Sequence, residues 1–393
     1  MGGTASAFKI NVNGTAATTL SNVEIEANDS IYVFASVTIN PNAANQPFIV
    51  SDTILIAYNG NERLVQLQAY GQNAIYLTNK VITGNVTWTN TLPFVILKSI
   101  RIDTTATLTI QPGCKIYSHA DAPFIVDGTL IINGAKNDEV VFAGDRLDDI
   151  YRDLPGGWPG IYFRGYSKNN VLKFSIIKNA YQAIVITGPS INANPKLVIQ
   201  QSIIDNAYDA GILAANSSVY TNNSLISNCG SNVALVYGGD YNFTHCTMAS
   251  YSNQYILHKN PVLSVSNFAL QGGVAVTANL NAVFRNCIFW ADSSFVGNEV
   301  VVNKQGSNIF NVLFEKNLYR LQNDPANSTL TGNIKNQDPL FDSIDVTKRI
   351  FDFRISRVMG PGTNKGVSTI FTKDLDDGNR NVGLPDLGCY EKQ

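Results

Sequence analysis

Ser175-Ile176-Ile177-Lys178-Asn179-Ala180 is a phrase that the chain repeats with small changes. It returns as Ser202-Ile203-Ile204-Asp205-Asn206-Ala207 and as Ser224-Leu225-Ile226-Ser227-Asn228-Cys229, so the spacings are 27 and 22 residues. A period in the low twenties, built of short β-type runs and polar turns, is typical of a β-solenoid. We therefore expect an all-β chain whose main part is a single-stranded parallel β-helix.

The composition excludes several classes of protein. Only 15% of the 393 residues are charged and the net charge is -2, so we expect no nucleic-acid partner. No apolar run approaches the ~18 residues of a membrane span, so we expect no transmembrane segment. The five cysteines have no paired metal-binding spacing, and their odd number argues against a complete disulfide framework. We expect no metal and no cofactor.

Residues 1–72 read as short antiparallel strands, and Asn59-Gly60 between two of them predicts a hairpin with a type I′ turn. About five strands can be counted, fewer than the seven of a complete immunoglobulin-like sandwich. We expect a small Ig-like β-sandwich whose opening strands are missing from this chain. This stretch resembles the Ig-like domain that precedes β-helices in secreted lipoproteins of Bacteroidetes-type bacteria. The matching phrases are Phe8-Lys9-Ile10-Asn11-Val12-Asn13-Gly14, Asp29-Ser30-Ile31-Tyr32-Val33-Phe34, Val37-Thr38-Ile39-Asn40-Pro41 and Ala69-Tyr70-Gly71-Gln72.

Residues 73–319 are predicted to form the β-helix, with about nine coils. Alternating runs such as Thr107-Leu108-Thr109-Ile110-Gln111-Pro112-Gly113 resemble the opening coils of bacterial right-handed parallel β-helix proteins of the pectate-lyase-like fold. Residues 320–393 end in Gly388-Cys389-Tyr390-Glu391, which resembles the Gly-Ala-Tyr-Glu ending of such surface proteins, with Cys389 in place of Ala. Because an open solenoid end invites edge-to-edge growth, we expect this segment to be a C-terminal cap.

The resemblance also implies where the protein acts and on what. It implies an exported monomer, held at the outer-membrane surface by a lipid anchor that has been removed from this chain. It implies polysaccharide or another glycan as the partner. The fold itself hosts lyases and glycosidases as well as inert scaffolds, so the residues must decide between these activities.

A catalytic row is not evident in the apolar runs that define one sheet. These runs span 183–187, 211–215, 233–237, 262–266 and 299–303, and Glu299, at a margin, is their only charged residue. A lyase of this fold would need carboxylates for calcium and a Lys or Arg as base, and a hydrolase would need close carboxylates. Neither set is present in these runs, and we expect a non-enzymatic protein.

The segment 145–164 interrupts the repeat and concentrates charge and aromatic rings. Such side chains could grip a sugar ring or a calcium ion. The alternative is a polar loop that internal ion pairs hold, with Trp158 packed at its base. The candidate ligand-binding residues are Asp145, Arg146, Asp148, Asp149, Tyr151, Asp153, Trp158, Tyr162 and Arg164.

Other conspicuous residues are expected to be structural. Asn179, Asn206 and Asn228 share one repeat position and are predicted to form a side-chain ladder at a turn. Cys246 and Cys287 occupy equivalent positions and are expected to stack inward, with a disulfide as the alternative. The histidines (119, 245 and 258) share no spacing, and the acidic residues near turns (Asp205, Asp209 and Asp240) are expected to bond their own backbone.

Two functions remain open from the sequence. The first is a non-enzymatic surface protein whose rigid β-helix binds glycan. The second is a polysaccharide lyase or glycoside hydrolase that uses the 145–164 segment and inserted loops near Asp240, His258 and Lys259.

Overall fold

The computed structural model describes residues 3–39, 48–149, 151–292, 295–355, 357–380 and 383–392. Within these residues the chain is all-β apart from one 3-10 turn at Gly3–Ala5. It divides into two compact units, Met1–Ile75 and Tyr76–Gln393. None of the described residues form a helix that is long and apolar enough to cross a membrane.

The first unit begins with a three-stranded antiparallel sheet. Its central strand Phe8–Val12 pairs with Thr15–Ala17 on one side and with Val33–Val37 on the other. Asn40 and Pro41, which contribute to the resemblance to an Ig-like domain, lie outside the described residues. That this unit is an Ig-like sandwich stays a prediction.

A long hairpin completes the first unit, and it is the one predicted from Asn59-Gly60. Phe48–Tyr58 pairs with Asn61–Gly71 over eleven residues each. Asn59 and Gly60 have φ values of 46° and 74°, and both lie in the positive region that a type I′ turn requires.

The second unit consists mainly of one long parallel sheet in which a strand pairs with the third strand along the chain, except where Ala210–Asn222 and Ser231–Thr244 each span two faces. Val140–Gly144 pairs with Ser175–Lys178, which pairs in turn with Ile203–Asp205. The two strands between each such pair belong to two other faces. This pairing is that of a parallel β-helix with three faces, which we call sheets 1, 2 and 3; its hand and number of coils stay predictions.

The strands of the three faces follow in chain order. Sheet 1 contains Asn85–Trp88, Thr107–Ile110, Thr129–Asn133, Asn170–Lys173, Leu197–Gln200, the second halves of Ala210–Asn222 and Ser231–Thr244, Leu280–Arg285, Phe310–Glu315 and Thr329–Thr331. Sheet 2 contains the first half of Phe94–Ile102, Lys115–Ser118, Val140–Gly144, Ser175–Lys178, Ile203–Asp205, Leu225–Ser227, Thr247–Ser250, Ile288–Ala291, Leu318–Tyr319 and Ile334–Lys335. Sheet 3 contains Ile75–Ile82, the second half of Phe94–Ile102, Phe124–Val126, Ile161–Phe163, Gln182–Thr187, the first halves of Ala210–Asn222 and Ser231–Thr244, Leu263–Ser266 and Val300–Asn303. Two antiparallel hairpins lie outside these faces, Phe268–Gln271 with Val274–Thr277 and Ser343–Asp345 with Ile350–Asp352.

The core lies inside the three faces, because side chains alternate in and out along each strand. The five apolar runs of the sequence do form one face, sheet 3, and their inward side chains lie side by side: Ile184, Ile212, Val233, Leu263 and Val300. Each is almost completely buried. Burial of one such side chain stabilises the fold by ~1.5–3 kcal/mol.

Aromatic rings fill part of the core below sheet 1. Phe243 stacks on Phe284 with ring centroids 5.5 Å apart, and Phe284 stacks on Phe314 at 4.8 Å. Phe243 and Phe284 are register partners. This pairing confirms that Cys246 and Cys287, three residues after each ring, occupy equivalent positions. The strand spacing of ~4.8 Å sets this ring spacing.

The C-terminal segment lies along the outer side of sheet 2. Outward-facing Leu225 is covered by a cluster that includes Phe353 and Tyr390, and outward-facing Ile288 by Leu387. That this segment caps the open end stays a prediction, and the described contacts of the segment follow the side of the solenoid. The physical reason is that sheet 2 has apolar residues on its outer face, which must be removed from water.

Candidate functional site

The outer half of the 145–164 segment pairs its own charges. The Arg146 guanidinium lies 3.0 Å from the Asp148 carboxylate and 3.7 Å from the centroid of the Tyr151 ring. The hydrogen bond from Arg146 holds the pKa of Asp148 below its ordinary value. Both the carboxylate and the ring are therefore already engaged within the segment.

A second arginine organises the next turn of this segment. Arg152 lies 3.2 Å from Asp149 and 3.6 Å from Asp153. Arg349, from the C-terminal segment, also lies 3.6 Å from Asp153. Residue 150 lies outside the described residues. These contacts agree with the alternative interpretation, in which the segment is a polar loop held by ion pairs.

The inner half of the segment is attached to the core. Trp158 is 1% exposed, its Nε1 donates to the Lys178 carbonyl at 2.9 Å, and its ring stacks with Phe142. Asp145, where the segment begins, lies 2.7 Å from Nδ1 of His119. The buried indole offers no face to a sugar.

Arg164, at the end of the segment, belongs to a charge cluster on sheet 3. It donates from Nε to Asp127 at 2.6 Å, and its Nη2 makes a second, very close contact with the same carboxylate. The hydrogen bond from Arg164 lowers the pKa of Asp127, and Arg101 lies 3.6 Å from that carboxylate. Within the described part of the chain, no three His, Cys, Asp or Glu side chains are placed to hold a metal ion.

The nine candidate residues thus divide among an exposed loop, the core and the outer surface of sheet 3. Tyr162 lies on this surface, where its hydroxyl donates to the Pro159 carbonyl at 3.2 Å. Burial raises the pKa of Tyr162, and nearby Tyr181 and Asp209 raise it further. The structure does not gather the nine around one cavity, and their role in ligand binding stays a prediction.

Glu299 lies at the margin of sheet 3, directly before the strand Val300–Asn303, as the sequence analysis expected. It is fully buried, and its carboxylate contacts Nε2 of His258 at 2.9 Å and Nη1 of Arg320 at 3.1 Å. Its Oε2 also accepts from the backbone N–H of Val262. The reason is a contact that is distant in the chain: the 251–260 insertion supplies His258 as a partner for the buried charge.

The carboxylates of Asp205, Asp209 and Asp240 accept hydrogen bonds from side chains of neighbouring coils, whereas bonds to their own backbone were expected. Asp205 accepts from the Ser227 hydroxyl at 2.7 Å and from the Asn228 amide at 3.4 Å. Burial raises the pKa of Asp205. Asp209 accepts from the Gln182 amide at 2.7 Å.

The three asparagines of the repeat all have positive φ, between 51° and 61°. Asn206 donates to the side chain of Asn179, whereas Asn228 donates to Asp205 and accepts from the backbone N–H of Tyr251. A direct amide–amide contact therefore joins the first two members.

Cys246 and Cys287 are both fully buried free thiols in the structure. Cys246 donates to the Thr244 carbonyl at 3.5 Å, and Cys287 donates to the Arg285 carbonyl at 3.3 Å. Burial raises the pKa of Cys246, and the contact with Cys287 raises it further.

A groove of about 580 Å³ lies on the outer face of sheet 1, and sequence reasoning missed it. Its floor comes from outward-facing side chains of successive strands, and one wall comes from the C-terminal segment. The lining consists of Val198, Gln200, Tyr220, Thr221, Asn222, Asn242, Thr244, Arg285, Ser368, Thr369, Ile370 and Phe371. We call it the sheet 1 groove.

Tyr220 is the aromatic residue on the floor of this groove. Its ring is 37% exposed, and its hydroxyl donates to the Asp240 carboxylate at 3.0 Å. Burial and the bond to Asp240 raise the pKa of Tyr220. The bond fixes the ring orientation.

Polar side chains lie further along the floor. Arg285 donates from Nε to Glu315 at 2.6 Å, and Asn242 accepts from the Thr244 hydroxyl at 2.8 Å. These bonds involve one nitrogen of the guanidinium and the oxygen of the amide. The terminal guanidinium nitrogens of Arg285 and the amide nitrogen of Asn242 are donors suited to ligand hydroxyl or carboxylate groups.

The wall of the groove is fastened to the solenoid by one asparagine. Asn286 has a φ of 54°, which turns the chain between sheets 1 and 2. Its amide donates to the Val367 carbonyl at 2.8 Å and its side-chain oxygen accepts from the Val367 N–H at 2.9 Å. His245 adds a contact of 3.1 Å with the Thr369 hydroxyl. Ile370, at the rim, is 89% exposed.

A weak sequence signal for the floor existed. Tyr220-Thr221-Asn222 and Asn242-Phe243-Thr244 alternate in the strand period, with Tyr220 and Asn242 as register partners on the outer face. The wall had no such signal, because it is more than one hundred residues away along the chain.

Comparison of the chain with models of protein families, with curated proteins and with solved structures found no match.

Proposed function

We propose that the protein is a non-enzymatic glycan-binding protein and that the sheet 1 groove holds a short stretch of polysaccharide. The carrying observation is the combination of an oriented tyrosine ring with amide, hydroxyl and guanidinium groups in one groove. Binding sites for small polar ligands combine apolar contact surface with a few fixed polar groups in this way. Tyr220 would contact the C–H face of a sugar ring, while Asn242 and Arg285 would bond its hydroxyl groups.

The spacing of carboxylates near the groove supports binding over hydrolysis. Asp240 is in register with Asn281 and Asn311, whereas Glu315 lies four residues further along the strand direction. Four residues correspond to roughly 13 Å. Paired carboxylates of glycosidases lie ~5–10 Å apart. Moreover, Glu315 is already engaged by Arg285.

The proposal extends to the setting of the protein. It includes a right-handed, pectate-lyase-like helix, an Ig-like first unit that acts as a spacer, and export to the outer-membrane surface of a Bacteroidetes-type cell through a lipid anchor. The sequence resemblance supports these features, and a monomer suffices because the groove is formed by one chain.

A glycan array followed by titration calorimetry tests the proposal. The wild-type chain is applied to plant, algal and host oligosaccharides, and the best ligand is titrated into wild type, Tyr220→Ala and Asn242→Ala. Each substitution should raise Kd about tenfold or more, equivalent to ~1.4 kcal/mol. Tyr166→Ala is the matched control, because Tyr166 is 70% exposed and does not line the groove.

Two results would contradict the proposal. One is equal affinity of Tyr220→Ala, Asn242→Ala and wild type for every bound glycan. The other is release of oligosaccharides from the bound polymer by the wild-type chain, which would favour the lyase or hydrolase.

A further inference from the structure

The strongest unassigned feature is a pair of exposed, stacked tyrosines at the corner between sheets 2 and 3. The rings of Tyr181 and Tyr208 lie 5.7 Å apart at an interplanar angle of 24°, and they are 47% and 53% exposed. Each follows one copy of the repeated phrase, directly after Asn179-Ala180 and Asn206-Ala207. The coil repeat therefore places the two rings in one row.

The fold does not require an aromatic residue at this position. The third copy of the phrase has Gly230 there. The backbone bonds of the corner are made by main-chain atoms: Tyr208 N–H donates to the Ala180 carbonyl, and Gly230 N–H donates to the Ala207 carbonyl. The coil can therefore form without the two half-exposed rings of Tyr181 and Tyr208, so the fold does not explain their presence.

Polar groups lie immediately beside the rings. Gln182 donates to Asp209 at 2.7 Å, one residue after each tyrosine. Tyr162 is close enough for Tyr181 and Asp209 to raise its pKa in addition to the effect of burial. We call Tyr162, Tyr181, Gln182, Tyr208 and Asp209 the tyrosine patch.

The interrupting segment forms one border of this patch. A Cβ atom on Gly156 would lie 3.6 Å from Cβ of Tyr208, so the two residues are in contact distance. Asn179 and Asn206 donate from their side chains to the Arg152 and Asp153 carbonyls, at 2.7 and 3.0 Å. The segment is therefore held against the same corner that carries the rings.

We propose that the tyrosine patch is a second glycan site, separate from the sheet 1 groove, and that it takes a neutral polysaccharide chain. The face of an aromatic ring carries negative potential, so it attracts the C–H groups on the flat side of a sugar ring. Because the two rings are stacked, each turns one face to its neighbour, and the half-exposed pair has its other faces left for such contacts. Asp209 and Gln182 supply an acceptor and an amide for equatorial hydroxyl groups.

The charge of the patch selects the class of ligand. Asp209 is its only charged residue, and the partner of this carboxylate is an amide rather than a cation. An acidic polysaccharide would place its own carboxylates near Asp209 and be repelled. The sheet 1 groove, in contrast, contains Arg285.

Affinity gel electrophoresis tests the second site with named polymers. Wild type, Tyr181→Ala/Tyr208→Ala, Tyr220→Ala and Tyr166→Ala are run in gels that contain cellulose-type β-glucan, xyloglucan, galactomannan or polygalacturonate. At least one neutral polymer should retard the wild type, and the double substitution should weaken that binding about tenfold or more. Tyr166→Ala should be retarded like wild type by that polymer, because Tyr166 belongs to neither site.

Folding and chemistry are separated by two further measurements. The far-ultraviolet circular dichroism and melting temperature of the double variant should match wild type, because the rings are surface groups. Tyr181→Phe/Tyr208→Phe should retain most of the binding, since the ring faces remain. The proposal is overturned if no neutral polymer retards wild type, if the double Ala variant is retarded normally, or if polygalacturonate is the only bound polymer. Loss of binding in Tyr220→Ala, with normal retardation of the double Ala variant, would assign the polymer to the sheet 1 groove and would likewise overturn the patch.

Discussion

The side-chain amide of Asn206 donates a hydrogen bond to the side-chain oxygen of Asn179 at 2.8 Å, across one step of the β-helix. Both residues have positive φ, 56° and 61°, and both are buried. Asparagine thus has two structural roles at this corner: it adopts a left-handed backbone conformation, and its side chain bonds one coil to the next. Asparagine tolerates that backbone better than other residues that carry a Cβ atom.

Two substitutions of Asn206 separate the contribution of the backbone conformation from that of the side-chain hydrogen bonds. We expect Asn206→Ala to destabilise the fold by ~2–3 kcal/mol, because it loses the amide bonds and places Ala at a positive φ. Asn206→Gly should be less destabilising by ~1 kcal/mol, because Gly accepts the backbone but makes no side-chain bond. Urea unfolding of the three proteins measures the difference. Equal destabilisation by Ala and Gly would show that the backbone conformation contributes nothing.

Lys196 predicts a dependence of stability on alkaline pH. Its buried ammonium donates to the carbonyls of Thr187, Gly165 and Arg164, at 2.7, 3.1 and 3.3 Å, with no carboxylate among these partners. Burial lowers the pKa of Lys196 from 10.5 to about 8. Between these values the unfolded chain holds a proton that the folded chain has released, so stability rises with pH.

Lys196→Met is the control for that prediction. The stability of wild type relative to Lys196→Met should increase between about pH 8 and 10.5, by at most ~3 kcal/mol. Because other groups titrate in the same range, the difference between the two proteins is the quantity to measure, by chemical unfolding at each pH. A constant difference would contradict the lowered pKa.

Arg380 and Glu391 predict how the C-terminal segment is attached. Their charged groups lie 3.0 Å apart with both side chains almost fully buried, and Arg380 also donates to the Asn223 side chain on the solenoid. Arg380→Met leaves Glu391 buried without its cation and should destabilise the segment by ~3–5 kcal/mol. Limited proteolysis should then cleave the C-terminal segment first. Lys373→Met, at an exposed position of the same segment, should leave the cleavage rate unchanged.

The pKa of Glu391 adds a pH dependence at the acidic side. Burial raises this pKa from 4.5 to about 7. The folded chain therefore binds a proton that the unfolded chain lacks between these values, and this group's contribution to stability falls as pH rises from about 4.5 to 7. In Glu391→Gln that contribution should be absent, which thermal unfolding at pH 5 and 7 can measure. An identical pH slope in both proteins would contradict it.

Asn286, together with His245, predicts how the wall of the sheet 1 groove is held. Asn286→Gly keeps the positive φ but removes the two bonds to Val367. We expect weaker binding of the groove's glycan, about tenfold, with a normal response of the tyrosine patch to neutral polymers. Asn281→Ala, on the same face but not in the groove lining, is the control. Unchanged groove binding in Asn286→Gly would show that the wall takes no part.

Many contacts of the candidate sites join segments outside the sequence repeat, so the repeat could not predict them. The Ser-Ile-Ile-x-Asn phrase predicted the register of sheet 2, and the structure shows that Tyr181 and Tyr208, two residues after its asparagine, are stacked in one row. Trp158 was conspicuous as a binding candidate, yet it is buried because its ring fills the core beside Phe142. Glu299 looked marginal until a distant histidine and arginine surrounded it.

The sequence by itself determined the all-β class, the coil spacing and the hairpin at Asn59-Gly60, because these depend on contacts between residues near in the chain or one repeat apart. Only the tertiary structure decided which outer faces stay open. Residues 368–371 reach sheet 1 through Asn286, and Phe353 and Tyr390 cover sheet 2. Such contacts join segments that share no period, so they follow from three-dimensional packing and from no local pattern.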